Sequence, residues 1–193
     1  VNPKMLTLEE CRQLVENILR NLPDIPPALS DLIVHRSEGN PFYVEELLKV
    51  LIEDGVIVPG ENGWRVLQKQ LTNVRMPATL TGVLQARLDR LSSLERVTLQ
   101  RAAVIGRVFW DSPVILMNHA AEQTAVHAPE TITALNALEK REMIFQRNSS
   151  VFAGSSAYLF KHEMLREVAY ESVLLRMRPA YHKQVAGWLA QES

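Results

Sequence analysis

Histidines and glycines are the first residues to examine for chemistry, because imidazoles bind metals and glycine-rich loops hold phosphates. The five histidines are His35, His119, His127, His162 and His182. They are isolated from one another, so no metal-ligand spacing appears. The eight glycines are scattered singly, and the chain has no Gly-x-x-x-x-Gly-Lys-Ser/Thr phosphate loop.

Carboxylates and serines lead to the same result. No predicted strand ends in paired carboxylates that would hold magnesium beside a nucleotide. No serine lies in the Gly-x-Ser-x-Gly pattern of a nucleophile elbow. We therefore expect this chain to have no enzymatic activity, and no cofactor or metal of its own.

Composition predicts one large or two small soluble domains. The 193 residues are 47% hydrophobic and 22% charged, with a net charge of −1. Cys11 is the single cysteine, so a reducing, cytoplasmic location is expected. No apolar run approaches the roughly 20 residues that cross a bilayer. The chain begins at Val1, and we expect it to be part of a longer protein.

Charge is unevenly distributed along the sequence. Residues 1–63 hold 11 acids and 5 Lys/Arg, whereas residues 64–107 hold 2 acids and 8 Lys/Arg. The second stretch predicts either a surface that faces a polyanion or a solvated helix face. Five of its arginines fall on two predicted helices, where we favour solvation: Arg87, Arg90, Arg96, Arg101 and Arg107.

The first part of the chain predicts helices and one short hairpin. Thr7 and Glu10 form a capping box for the first helix. Asn40 and Pro41 begin a helix at about 41–54, which follows a helix at about 27–38. The predicted strands are Val56–Val58 and Trp64–Leu67. Residues 68–78 read as a polar connection.

The second part predicts three helices followed by a hairpin. A leucine-patterned helix from Leu80 comes first. Three helices follow it: one from the Ser92/Glu95 capping box to Gly106, a short one from a cap at Asp111 to Met117, and one at 130–141 after a loop at 118–128. The strands are Met143–Arg147 and Ala157–Phe160, followed by helices at about 163–175 and 178–191. Helices followed by a two-stranded hairpin are typical of a winged helix.

Two segments resemble a known family. Ser37-Glu38-Gly39-Asn40-Pro41-Phe42-Tyr43-Val44-Glu45-Glu46-Leu47-Leu48 resembles the Gly-x-Pro segment of the helical lid in STAND-type signalling ATPases, relatives of the AAA+ fold. Phe160-Lys161-His162 and the helix through Tyr170 resemble the Phe-x-His segment of their winged-helix domain. Such modules occur in bacterial multidomain adenylate/guanylate cyclases and LuxR-type regulators.

The resemblance implies a fold and a domain order. The fold class is mainly α with small β hairpins. A helical lid with a short hairpin would span residues 1–76, and a winged-helix domain residues 77–175. Residues 176–193 would form a C-terminal helix that leads to a helical-repeat region.

The resemblance also implies a regulatory function. ATP or ADP, with magnesium, would be held by an ATPase core upstream of this chain, and the chain would couple the nucleotide state to an output domain. The implied partners are that core and downstream helical repeats, and self-association stays open. We expect no membrane and no nucleic-acid partner.

By resemblance, the nucleotide-contacting residues are Gly39, Asn40, Pro41 and His162. The first three are equally explained as a helix stop, cap and start. His162 opens a helix whose N-terminus favours anions. The resemblance implies that His162 contacts the β-phosphate of ADP. A cap or an interface residue is the alternative for His162.

Two other functions are weighed against this one. Direct DNA binding would use the helix at about 130–141, with Thr131, Thr133, Asn136, Lys140 and Arg141. The wing, residues 148–156, has no Lys or Arg, which makes that surface poor for phosphates. A protein-interaction adaptor without nucleotide would use Tyr181 and Trp188 near the C-terminus.

Overall fold

The computed structural model describes residues 5–60, 63–73, 76–121 and 128–192. It is mainly helical with two small antiparallel sheets, which confirms the predicted class at that level. The chain divides into two compact units, Val1–Arg87 and Leu88–Ser193. In the described ranges, no helix is both long and apolar enough to cross a membrane.

The first unit contains helices around one two-stranded hairpin. Its elements are α1 (Leu8–Ile18), α2 (Pro27–Ser37), α3 (Pro41–Glu53), β1 (Ile57–Gly60), β2 (Gly63–Val66), α4 (Gln68–Asn73) and most of α5 (Leu80–Asp89). The Thr7/Glu10 capping box is confirmed: Thr7 N–H donates to Glu10 Oε2 at 2.7 Å, and Glu10 N–H donates to Thr7 Oγ1 at 3.2 Å. Local side chains therefore fix where α1 begins.

The core of the first unit joins α1, α2, α3 and the hairpin. Cys11, Val15 and Ile33 are completely buried there, together with Leu47 and Leu51 of α3. These residues recur at three- and four-residue spacing, which places them on one face of each helix. Burying that face is what holds the helices together.

The segment 68–78 was predicted as a polar connection, and part of that prediction is wrong. Gln68–Asn73 is helical, because the Leu67 carbonyl accepts from the N–H groups of Gln70 and Leu71 at 2.9 and 3.0 Å. Leu71 packs against the core of the first unit. This contact favours the helix, although the segment shows no helical period in its sequence.

The second unit is a group of helices on a three-stranded sheet. Its elements are α6 (Ser93–Ile105), β3 (Val108–Trp110), α7 (Asp111–Ala121), α8 (Ala128–Lys140), β4 (Ile144–Gln146), β5 (Ala157–Phe160), α9 (Glu163–Glu171), a 3₁₀ turn (Leu175–Met177) and α10 (Arg178–Glu192). The Ser92/Glu95 capping box begins α6 as predicted. The predicted helix at 163–175 ends early, at Glu171.

The sheet of the second unit has one strand more than the sequence predicted. The strand order is β3-β5-β4, and both pairs are antiparallel. Val108 lies opposite Leu159, which in turn lies opposite Phe145. The three residues of β3 are too few to show an alternating pattern, so this strand was missed.

Asp111 was predicted as a helix cap, but its side chain does something else. Its carboxylate accepts from Ser155 Oγ at 2.7 Å and from the Ser156 N–H at 2.9 Å. It thereby ties the start of α7 to the residues just before β5. The helix it opens runs to Ala121, beyond the predicted Met117, and residues 122–127 of the predicted loop lie outside the described residues.

The predicted boundary between residues 76 and 77 falls inside the first unit. Arg36 Nη1 donates to the carbonyls of Met76 and Pro77 at 3.0 and 3.1 Å, and Tyr43 Oη donates to Pro77 at 3.3 Å. The division lies instead at Arg87, inside α5. Residues 176–193 were predicted as a C-terminal helix that leads to a helical-repeat region; the helix is α10, and it packs on α6 and α7 within the second unit.

Candidate functional site

Three of the four predicted site residues form one helix corner in the first unit. Asn40 Oδ1 accepts from the N–H groups of Phe42 and Tyr43 at 3.0 and 3.3 Å, so it caps α3 as predicted. Pro41 occupies the first helical position. Its ring is half-buried, which leaves part of it open to contact. The corner presents a small, rigid surface.

Gly39 has a structural requirement of its own at this corner. Its φ is +82°, and a Cβ there would lie 2.5 Å from the carbonyl oxygen of Leu6. The Gly39 carbonyl also accepts from the Leu6 N–H at 2.8 Å. Any side chain would therefore clash with backbone as well as strain the dihedral angle. Glycine is needed here whether or not a ligand binds.

His162 begins α9 in the second unit. Its backbone is extended, with φ −137° and ψ 143°, and its carbonyl accepts from the Arg166 N–H at 3.3 Å. His162 is the N-cap residue of α9, and its half-buried imidazole makes no side-chain capping hydrogen bond. The first-turn N–H groups receive no hydrogen bond from this ring, and such groups attract anions.

Acidic and basic groups flank this helix start. Glu163, the next residue, lies 2.6 Å from Arg166 Nε and 4.0 Å from Arg107 Nε. Both arginine partners stand close enough to offset the Glu163 charge. The local field at the start of α9 is therefore mixed, with two guanidinium groups and one carboxylate.

The four predicted residues are thus divided between the units. Gly39, Asn40 and Pro41 are brought together in the first unit, and His162 lies in the second. Local backbone geometry positions both groups: Gly39, Asn40 and Pro41 by a helix cap, and His162 by a strand-to-helix turn. The nucleotide role of all four stays a prediction.

Sequence reasoning missed a buried ionic group next to the helix corner. Arg87 on α5 is 1% exposed, and its Nη1 donates to Glu46 Oε2 of α3. Its Nη2 lies 3.4 Å from Glu53 Oε1, and Lys49 Nζ lies 3.3 Å from Glu46 Oε1. The expectation that Arg87 is solvated is wrong, because two carboxylates of α3 compensate its burial.

A second buried polar group holds the helices of the second unit together. Arg101 is 4% exposed and donates from Nη1 to Asn118 Oδ1. Asn118 Nδ2 donates to Thr98 Oγ1 at 3.2 Å and to Thr131 Oγ1 at 2.8 Å. Solvation is therefore wrong for Arg101 as well. Two of the eight cations of the basic stretch, Arg87 and Arg101, are therefore buried and do not face solvent.

The helix considered for DNA contact, α8, offers little to a duplex. Thr131 is completely buried, and Thr133 Oγ1 donates to the Pro129 carbonyl at 2.8 Å. Arg141 lies 3.8 Å from Glu95. Asn136 and Lys140 are exposed, so one cation and one amide remain from the predicted set.

Burial changes the acidity of one tyrosine in each unit. Desolvation raises the pKa of Tyr43, with Glu38 adding to it and Arg36 opposing. Desolvation also raises the pKa of Tyr158, and the carboxylates of Asp111 and Glu139 push it further. Both phenols stay protonated at neutral pH, so they act as hydrogen-bond donors and packing groups.

Two open clefts lie away from the predicted site residues. One, of about 500 Å³, is in the first unit, with Trp64 and Arg20 among its walls. The other, of about 590 Å³, is lined by Glu171 through Arg176 in the second unit. Across the described residues, no group of three or more His, Cys, Asp or Glu side chains is arranged to hold a metal ion.

Family models and curated proteins were compared with this chain. No family model matches it, and no curated protein matches it. The residues and the geometry of the two units therefore carry the functional inference.

Proposed function

We propose that this chain is the non-catalytic regulatory part of a nucleotide-controlled signalling switch. The first unit would serve as the helical lid, and the second as a winged-helix domain with a terminal helix. An ATPase core elsewhere in the parent protein would hold ATP or ADP with magnesium. The chain would couple that nucleotide state to an output domain, as in adenylate/guanylate cyclases or transcriptional regulators.

The order of elements in the second unit carries the proposal. Helix, strand, helix, helix, strand and strand follow one another from α6 to β5, and the last strand lies between the other two. That order and pairing are those of winged-helix domains. The extra strand β3 strengthens the likeness, because a simple hairpin would lack it.

The placement of His162 adds chemical support. It stands directly after the central strand, at the N-terminus of a nine-residue helix. The first-turn N–H groups and the helix dipole favour a negative group at such a position. An imidazole beside them can donate to a phosphate oxygen. A β-phosphate reaching this helix start would therefore meet several donors at once.

The mechanism is a two-state equilibrium. In the ADP state, contacts from the helix corner at Pro41 and from His162 would tie the chain to the core. In the ATP state those contacts would differ, and the resting arrangement would be released. A ligand shifts such an equilibrium only by its differential affinity for the two states, so the contacts to the β-phosphate are decisive.

Direct DNA binding is the weaker proposal. Phosphate neutralisation dominates nucleic-acid affinity, and α8 exposes Lys140 in its last turn and the acidic Glu130 in its first. Arg147 is exposed at the start of the wing, and residues 148–156 carry no further cation. A salt-dependent mobility shift with duplex DNA would favour this alternative over the regulatory one.

Calorimetric titration of ADP tests the proposal. The parent protein, with the region that precedes this chain, should bind ADP tightly, and the 193-residue chain alone should bind at millimolar affinity or not at all. In the parent, His162→Ala should weaken ADP binding roughly 10- to 150-fold, the usual value of a hydrogen bond to a charged group. His119→Ala, at an exposed histidine of α7, is the matched control.

Two results would contradict the proposal. Micromolar ADP binding by the 193-residue chain alone would mean that the phosphate ligands lie within it. Equal ADP affinity for the His162→Ala and His119→Ala parents would remove His162 from the nucleotide site.

A further inference from the structure

The last helix of the second unit is held by few apolar contacts. Of the fifteen residues of α10, Val185 and Trp188 are buried, each 7% exposed. Tyr181 is half-buried, and the outer positions of the helix are solvated. Because burial of an apolar stripe is what holds a helix to its unit, the apolar contribution to α10 docking is small.

At the start of α10, Arg178 Nε and Nη2 donate to the carbonyls of Val173 and Glu171, and His182 Nε2 lies 3.1 Å from Tyr170 Oη. An aromatic cluster holds the later turns of the helix. The Trp188 ring lies 4.7 Å from the ring of Phe152 and 6.1 Å from that of Trp110. The rings of Trp110 and Phe152 are 4.9 Å apart. The three rings join α10 to the end of β3 and to the residues between β4 and β5.

Three buried polar atoms around α10 lack hydrogen-bond partners in the described part of the chain. They are Arg101 Nε, Trp110 Nε1 and Gln184 Oε1. Helical spacing places Gln184 on the same side of α10 as Tyr181 and Trp188. The Tyr181 ring covers the Arg101 guanidinium at 5.6 Å, and the Trp188 ring covers Trp110. All three atoms therefore lie beneath or on the docked helix.

These atoms oppose docking of the helix. A buried donor or acceptor without a partner loses its hydrogen bonds to water, at roughly a 5- to 150-fold cost in an equilibrium constant. Undocking α10 would return water to all three atoms. The same event exposes Val185, Trp188 and the rings of Trp110 and Phe152. Burial of these apolar groups favours the docked state. The two contributions oppose each other at one interface.

We propose that α10 is a releasable strap, which undocks as one piece while the rest of the second unit stays folded. Its release uncovers Arg101, Trp110 and Phe152, a cationic and aromatic surface that the docked helix hides. This inference concerns the second unit alone. It does not depend on the nucleotide proposal.

Hydrogen exchange followed by mass spectrometry on the whole chain tests the strap. Amides across Tyr181–Leu189 should exchange together, at least 100-fold faster than those in the middle of α6 and α8. Ordinary fraying would instead give a gradient, with protection rising steadily from Glu192 toward Arg178. Uniform protection of α10 at the level of α6, or such a gradient, would overturn the proposal.

Two variants test the cause. Gln184→Leu removes one unpartnered acceptor and adds apolar surface, so it should slow exchange of α10 about tenfold. Trp110→Phe removes the unpartnered N–H and keeps an aromatic ring. It should also slow hydrogen exchange of the α10 amides. Gln191→Leu is the same substitution at an exposed position of the same helix, and it should leave the exchange rate of α10 unchanged.

The outcomes separate clearly. Slower α10 exchange in Gln184→Leu or Trp110→Phe, with Gln191→Leu at the wild-type rate, supports the strap. If Gln191→Leu slows exchange as much as Gln184→Leu, or if neither inner variant slows it, the unpartnered atoms do not set the docking equilibrium and the proposal fails.

Discussion

Glu46→Gln is expected to destabilise the first unit strongly. Glu46 and Arg87 are both almost fully buried, and Arg87 Nη1 donates to the Glu46 carboxylate. Removing one partner of a buried ion pair leaves an uncompensated charge, at about 3–5 kcal/mol. Glutamine keeps the shape of the side chain but places an N–H group or a weaker acceptor against the guanidinium.

The neighbouring charges reduce this cost. Glu53 Oε1 lies 3.4 Å from Arg87 Nη2 and stays in place after the substitution. Lys49, 3.3 Å from Glu46, also loses this contact, but it is partly solvated. We therefore expect the free energy of unfolding of the first unit to fall by about 2–3 kcal/mol, below the full cost of an isolated pair.

Cys11 provides an assay that reports on the first unit alone. It is the single cysteine of the chain and is completely buried in the core of that unit. Its reaction with a thiol reagent at increasing urea concentration follows exposure of that core. The second unit contains no cysteine, so its unfolding does not enter the signal.

Two further variants make the measurement decisive. Glu53→Gln alters the partly exposed member of the group and should cost about 1 kcal/mol or less. The double change Glu46→Leu with Arg87→Met removes both buried charges and should recover most of the loss. The reasoning is refuted if Glu46→Gln costs no more than Glu53→Gln, or if the double variant is less stable than Glu46→Gln.

Two other predictions concern the helix corner and the sheet. Gly39→Ala should destabilise the first unit by about 2–3 kcal/mol in the Cys11 assay, because of the positive φ and the contact with Leu6. Glu38→Gly should stabilise that unit by about 1 kcal/mol, because Glu38 has a φ of 49°. Changes of the opposite sign would contradict the backbone argument. The pKa of Tyr158 is raised in the folded protein, so the unfolded chain releases this proton at lower pH. The contribution of Tyr158 to stability is therefore complete below the unfolded pKa of about 10 and is lost as pH rises through the folded pKa. Tyr158→Phe should flatten the loss of second-unit stability above about pH 10. Tryptophan fluorescence measures this in a Trp64→Phe background, where Trp110 and Trp188 of the second unit give the signal. An unchanged slope would show that burial of this phenol is not the cause.

Features set by local chemistry could be predicted from the sequence. The two capping boxes and the Asn40 cap were predicted correctly, because each depends on residues within one helical turn. The hairpin of the first unit was found within a residue or two at each end. Gly39 was recognised as a helix stop, although its close approach to Leu6 depends on a distant segment.

Features set by tertiary contacts were missed. Strand β3 is three residues long and exists because it pairs with β5. Arg87 and Arg101 were expected in solvent, because a charge in the sequence does not reveal a partner on another helix. The domain boundary was placed at a polar stretch, whereas Arg36 and Tyr43 bind that stretch to the first unit. Long-range partners decided each of these cases.

The pairing of Val108 with Leu159 has a consequence for synthesis of the protein. Strand β3 leaves the ribosome well before its partner, so its backbone N–H and C=O groups stay exposed at an open edge during that interval. The first unit, which pairs neighbouring segments, can be complete by then. The second unit closes its sheet late, and slow translation between residues 110 and 157 lengthens the time in which that edge can join another chain.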